Sequence, residues 1–145
     1  MKEISIYNDY SPSFTFNQEQ IKKLVLNILS KKDFKKIKLS IIFTNRKFLS
    51  EMKKKYFNVN QYTDVIAFNL EDSSDSLDGE IYISIADVKE NAKLFSESFS
   101  QEFKRVIIHG SLHLIGYNDS TKEEITLMRF LEDEYLLESK SITVV

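Results

Sequence analysis

The two histidines of this 145-residue chain, His109 and His113, stand one helical turn apart, and two of its three glycines, Gly110 and Gly116, lie in the same stretch. An i, i+4 pair puts both imidazoles on one face of a helix, where their ring nitrogens can converge on one point. Gly116 can take the left-handed conformation that closes a helix, and the chain reversal that follows brings Asp119 back toward the pair. Two neutral imidazoles and a carboxylate, with a fourth position open, make the ligand set of a catalytic zinc. His109, His113 and Asp119 are therefore the expected metal ligands; the neighbouring Asn118 is the alternative, a weaker one because its amide is uncharged. The apolar residues ahead of the pair (Phe103, Val106, Ile107, Ile108) are buried-helix material. An imidazole among such residues needs each nitrogen satisfied, and a metal does that well.

The spacing also limits the chemistry. Zinc peptidases carry a glutamate directly after the first histidine as general base, and this chain has Gly110 there. A glycine supplies no base but lets another segment approach the helix closely. What remains is metal-activated water as nucleophile, with the metal polarising an oxygen of the group attacked. Arg105, one turn before His109, extends the histidine stripe and is the expected catalytic residue, its guanidinium clamping a scissile phosphate. The competing reading of Arg105 is an ion pair with Glu102 or another acidic neighbour. Glu102 shares the face and is read as a surface carboxylate, with support of the site as the alternative. Asp64 is expected to order a strand end.

These residues need a frame. Ile4 and Ile6 suggest a first strand, and Ile21, Leu24, Val25, Ile28 and Leu29 follow helical spacing behind a capping pair, Asn17 and Gln20. Ile37, Leu39, Ile41 and Phe43 alternate as a strand, Asn45 is placed to cap a helix bearing Phe48, Met52 and Tyr56, and Val65 to Phe68 is a short strand. Residues 71–79 are acidic and read as a mobile loop before a strand through Ile81, Ile83 and Ile85. Helices are expected near 86–96, 99–116 and 121–138, with Ser120 and Glu123 as the last capping box. The expectation is an α+β fold, one domain over 1–145, with a small mixed sheet covered by helices and the metal site at the end of a helix in the C-terminal half.

Composition fits a soluble globular protein, with 42% hydrophobic and 29% charged residues. No apolar run is long enough to span a membrane. The opening segment lacks the apolar core of a secretion signal, and the absence of cysteine excludes disulfides and thiolate metal sites, so a cytoplasmic protein is expected. The net charge of −2 conceals an asymmetry: residues 1–60 carry 13 Lys and Arg against 5 Asp and Glu, residues 61–145 carry 7 against 17. A basic half can bind polyanions through local potential, although a solvated lysine-rich surface accounts for the same charges.

The pattern His-Gly-x-Leu-His-Leu-x-Gly-Tyr, with a third ligand ten residues after the first histidine, resembles the YbeY family of ribosomal RNA maturation factors. Thr63-Asp64-Val65-Ile66-Ala67-Phe68, Gly79-Glu80-Ile81-Tyr82-Ile83-Ser84, the pair Glu102 and Arg105, and Met128 with Glu132 extend the likeness from about residue 37 to the end. The resemblance implies a zinc-dependent single-strand endoribonuclease, one Zn²⁺ per chain with another divalent metal able to substitute. It also implies ribosomal RNA, in the precursor small ribosomal subunit, as the partner. Two positions depart from the family pattern: Asp119 stands where histidine is usual, and Phe57 where many members carry an arginine. Beside the endoribonuclease stand two alternatives, a non-catalytic ribosome-assembly factor with a structural metal, and a metallopeptidase, which Gly110 disfavours.

Overall fold

A computed structural model describes residues 1–57, 64–70 and 73–145, apart from the Phe57 side chain. The elements run β1 (Lys2–Asn8), α1 (Gln18–Leu29), β2 (Lys36–Thr44), α2 (Arg46–Phe57), β3 (Val65–Asn69), β4 (Ser76–Ser84), α3 (Ile85–Leu94), α4 (Phe99–Leu114) and α5 (Lys122–Glu138). The strands form one mixed sheet in the order β1-β2-β4-β3, with β1 and β4 parallel to β2 and β3 antiparallel to β4. The expected α+β architecture is present.

Alternation decides which face of the sheet is the core. Ile37, Leu39, Ile41 and Phe43 of β2 and Leu77, Ile81 and Ile83 of β4 are buried and, at period two, share one face. Ile21, Leu24, Val25 and Ile28 of α1 and Phe103, Val106 and Ile107 of α4 join them in a single cluster. Each side chain withdrawn from water in this way contributes about 1.5–3 kcal/mol. Tyr82, between Ile81 and Ile83, points to the opposite face, where α2 covers it: Phe48 lies 6.2 Å from the Tyr82 ring and Tyr56 5.5 Å from that of Phe68.

Two expectations fail at element boundaries. Residues 76–79, read as part of an acidic loop, belong to β4, because Leu77 pairs in register with Ile37 and is fully buried. One buried leucine and a parallel ladder outweigh the polar composition around it. Glu71 and Asp72 lie outside the described residues. The capping box of α5 sits one residue later than expected: Thr121 Oγ1 accepts from Glu124 N (3.1 Å) while Glu124 Oε1 accepts from Thr121 N (2.9 Å). Asn17 and Asn45 cap their helices as expected, accepting from Gln20 N and Phe48 N.

Two glycines set the geometry that the site needs. A Cβ on Gly110 would stand 3.0 Å from Ile81 Cγ2 and 3.3 Å from Val65 Cγ2, so α4 lies so close to the sheet that a side chain here requires its neighbours to give by a few tenths of an ångström. Gly116 has φ +107°. Its N–H donates to His113 O (3.1 Å) and that of Tyr117 to Leu112 O (3.1 Å), the double closure that ends a helix and turns the chain back. Gly116→Ala meets open space but an unfavourable φ. It is expected to lower unfolding free energy by about 1–3 kcal/mol, measured by urea titration.

Candidate metal centre

Helix α4 carries Glu102, Arg105, Val106 and His109 along the wall of a cavity of about 360 Å³, and α5 supplies Met128, Arg129 and Glu132 to the same wall. The turn after Gly116 brings Asp119 to its rim. His113 Nε2 lies 3.0 Å from His109 Nε2, and Asp119 Oδ2 lies 3.3 and 3.5 Å from these two nitrogens. A tetrahedral ion with bonds of 2.0–2.1 Å needs donors about 3.3 Å apart. The three donor atoms therefore already stand at the spacing a small divalent cation requires, and the set, two imidazoles and one carboxylate, is of the right chemical kind. His109, His113 and Asp119 are the residues that can hold a metal.

The ring of His109 is fixed from behind. Its Nδ1 lies 2.7 Å from Glu132 Oε2, which turns Nε2 toward His113 and Asp119. A carboxylate behind a ligand histidine sets the tautomer and raises the basicity of the nitrogen that faces the metal. Burial works to lower the His109 pKa, but the bond and charge of Glu132 outweigh it and hold the ring above its ordinary value. His113 has the Tyr117 backbone in place of a second carboxylate behind it; burial first, then the neighbouring His109, depress it against the pull of Asp119 and Tyr117. Without a metal the two rings are thus shifted in opposite directions. Glu132 is 23 residues from His109 in sequence, and nothing local to either residue signals the pairing.

Arg105 lines the cavity as expected, but its guanidinium is engaged. Nη1 donates to Glu132 Oε1 at 3.1 Å and Nη2 pairs with Asp133 Oδ1 at 2.9 Å, so its partners come from α5 and not from Glu102. Asp64, expected to order a strand end, does so: its carbonyl accepts from Ser84 N (2.9 Å) and its Oδ2 from Asn91 Nδ2 (3.0 Å), while its position puts it on the cavity wall. Thr63, beside it in the sequence motif, lies outside the described residues.

Glu102 is the largest departure from expectation. It is buried at 4% exposure, and among the described residues its carboxylate accepts no hydrogen bond and enters no ion pair. The helix pattern shows why sequence alone misleads here: position 102 lies on the α4 face that α5 roofs over, and the roof is set by tertiary packing. Burial, then the charge of Asp64, push its carboxyl up to about 7, against the pull of Arg105 and Arg129. Arg46, the first residue of α2, is taken up structurally: Nε donates to Asp87 Oδ1 (2.6 Å) and Nη2 pairs with Glu90.

A histidine pair and returning carboxylate at the edge of a sheet-and-helix cavity define a metal-site α+β protein. Comparison with known sequences makes the class specific. The family model described as "YbeY: Endoribonuclease YbeY" matches residues 6–140, and the chain belongs to that family. The chain is 43% identical over 122 residues to an Endoribonuclease YbeY of Karelsulcia muelleri (83% of this chain, 85% of that protein). With an Endoribonuclease YbeY of Amoebophilus asiaticus it shares 36% over 128 residues (88% and 87%). Among solved structures, the solution structure of TM1509 from Thermotoga maritima superposes with a TM-score of 0.60 at 27% identity, covering 95% of this chain and 92% of that one. No helix among the described residues is long and apolar enough to cross a membrane.

Two measurements follow from this geometry. Glu132→Gln leaves the three donors intact but loosens His109, and is expected to weaken divalent-metal affinity by about 10–100-fold in a competitive chelator titration. In metal-free protein, the raised Glu102 pKa means that the folded state holds this proton more tightly than the unfolded chain does. Its contribution is complete below the unfolded value near 4.5 and is lost as pH rises through about 7. Glu102→Gln should therefore raise the melting temperature more at pH 8 than at pH 5, and equal shifts at both would refute that assignment.

Proposed function

We infer that this protein is a metal-dependent single-strand endoribonuclease acting in ribosomal RNA maturation, with zinc as its metal and His109, His113 and Asp119 as the ligands. The observation that carries this reading is the preset spacing of the three donors on the wall of a cavity, with the ring of His109 locked by Glu132. The family membership supplies the reaction class. A divalent metal held there supplies Lewis-acid polarisation of a phosphoryl oxygen and lowers the pKa of an attacking water.

The chain's own residues do the rest. Glu132 and Arg105 fix the helix pair that carries the ligands. Arg105 and Arg129 also offset a concentration of acid on the cavity wall, where Asp64, Glu102, Asp119 and Glu132 would otherwise repel a phosphodiester. Arg105 therefore acts on the phosphoryl group through the field of the cavity as much as by contact. A cavity of about 360 Å³ suits one nucleotide splayed out of a single strand, and this supports single-stranded over duplex RNA. The basic N-terminal half supplies a complement to the rest of the polyanion. Gly110, packed tightly on Ile81, stands where a peptidase carries its glutamate, so that base is missing. The arginine replaced by Phe57 is the one observation that favours a non-catalytic assembly factor with a structural metal.

The deciding experiment is cleavage of single-stranded RNA by metal-loaded protein. Wild type should cut and His113→Ala should not; a metal-loaded wild type that binds ribosomal RNA and never cuts it identifies the assembly factor. Attack by water leaves a phosphate on one end and a hydroxyl on the other with no cyclic product, whereas attack by the 2′-OH leaves a 2′,3′-cyclic phosphate and makes 2′-deoxy substrate inert. Arg105→Ala should slow cleavage more than it weakens metal affinity. For the ligands, Asp119→Ala should lose metal strongly, Asn118→Ala little, and Asp119→His should retain it; the reverse order of the two alanine variants assigns the ligand to Asn118.

A further inference from the structure

Glu102 is 4% exposed, on the wall of the same cavity as His109 and Asp119. Among the described residues no sealed side-chain oxygen lacks a hydrogen-bonding partner, so the Glu102 carboxylate, which has none, meets the cavity, where a ligand that donates to it would offset the cost of its burial. It precedes His109 by seven residues on α4, which separates the two by about 10 Å along the helix axis. Two turns of helix backbone between the two residues is of the order of the span from a phosphate, across its sugar, to the Watson–Crick edge of the attached base.

The surroundings of Glu102 match a base and not a second phosphate. Val65, Val106 and Met128 give the cavity apolar walls, and Phe95 and Ile125 stand at it 55% and 53% exposed. Phe95 ends α3, is followed by Ser96 at φ +55°, and makes no contact with another aromatic ring among the described residues. An exposed aromatic at the edge of a cavity with apolar stretches of wall, and a buried carboxylate on one of them, offers an unstacked base a face to stack on and an edge to bond.

We propose that this cavity is a nucleobase pocket in which Phe95 stacks on the base and the Glu102 carboxylate reads guanine, a proposal that rests on RNA being the polymer the metal centre meets. Guanine is the only standard base with two adjacent donors, N1–H and N2–H, on its Watson–Crick edge, and an ionised carboxylate presents two acceptors to them. Adenine and cytosine set a lone pair against the second oxygen, and uracil flanks its single N–H with carbonyls. Only guanine satisfies both oxygens, so burial of Glu102 turns from a cost in the free protein into selectivity in the complex. The scissile phosphate then belongs to, or adjoins, a guanine nucleotide.

The test is titration of the protein at pH 8 with 5′-GMP, 5′-AMP, 5′-CMP and 5′-UMP, followed by NMR amide shifts. All four carry the same phosphate, so differences among them report the base. GMP is expected to bind about tenfold more tightly than the others. Glu102→Gln, which keeps the shape and removes the charge, should cut GMP affinity by about tenfold and abolish its lead over AMP. Phe95→Ala, an exposed substitution that spares the fold, should weaken all four by about fivefold or more. Equal binding of the four nucleotides, a guanine preference that survives Glu102→Gln, or affinities untouched by Phe95→Ala would each overturn the pocket. If Glu102→Gln does not fold, the four-nucleotide comparison and Phe95→Ala decide alone. Metal-dependent cleavage beside every base with no nucleotide preference leaves the nuclease standing and removes the pocket; guanine-selective binding without any cleavage does the opposite.

Discussion

Glu132 is buried between two helices and carries a charge that an apolar interior does not tolerate alone. It is held because two partners on α4 converge on it, His109 at 2.7 Å and Arg105 at 3.1 Å. The bond to His109 orients the ring, and the bond to Arg105 ties α5 across α4 over the cavity. Removing either partner leaves a buried charge uncompensated, so the two interactions stand or fall together. The ligand geometry and the roof of the cavity are therefore one structural fact. Gly110, next to His109, lets α4 lie tight against Ile81 and Val65 of the sheet.

The balance of charge at the cavity then constrains what can enter. Four carboxylates (Asp64, Glu102, Asp119, Glu132) face or adjoin it, with Arg105 and Arg129 beside them. Arg105 is largely neutralised by Glu132 and Asp133, while the Arg129 side chain is mostly exposed and 3.9 Å from Glu132. Without a divalent cation the cavity is a poor place for a phosphate. A divalent cation held by His109, His113 and Asp119 would supply positive charge that this wall otherwise lacks.

Much of this was legible in the chain, for physical reasons that can be named. The i, i+4 histidines, the closing glycine and the carboxylate three residues later are local features, governed by helix periodicity and turn chemistry that operate within about ten residues. The alternation of Ile37 to Phe43 and the helical spacing of Ile21 to Leu29 likewise report burial directly. What was hidden depends on contacts between distant segments. Glu132 resembles any acidic residue on an amphipathic helix until α5 is laid across α4. Glu102 reads as a surface carboxylate for the same reason. Residues 76–79 carry a loop's composition, and only the ladder with β2 shows that Leu77 is core. The offset of the last capping box from Ser120 to Thr121 is smaller, since both hydroxyls precede an acid at the right spacing and only the backbone angle chooses between them.

Asp119 changes the electrostatics of the site compared with the histidine usual at that position. An imidazole donor would leave a bound divalent cation with its full charge; a carboxylate cancels part of it and binds harder ions more readily. The attraction exerted on a phosphodiester falls accordingly, in a cavity already crowded with acid. The chain also lacks an arginine at Phe57, so neither change is compensated by the other. Two features on this page oppose the loss: the exposed guanidinium of Arg129 at the cavity wall, and the basic N-terminal half, whose field acts on the strand beyond the reacting nucleotide. In the pocket proposed above, affinity for RNA would then depend less on the scissile phosphate and more on its neighbours and on the base that the apolar stretches of the cavity wall would meet.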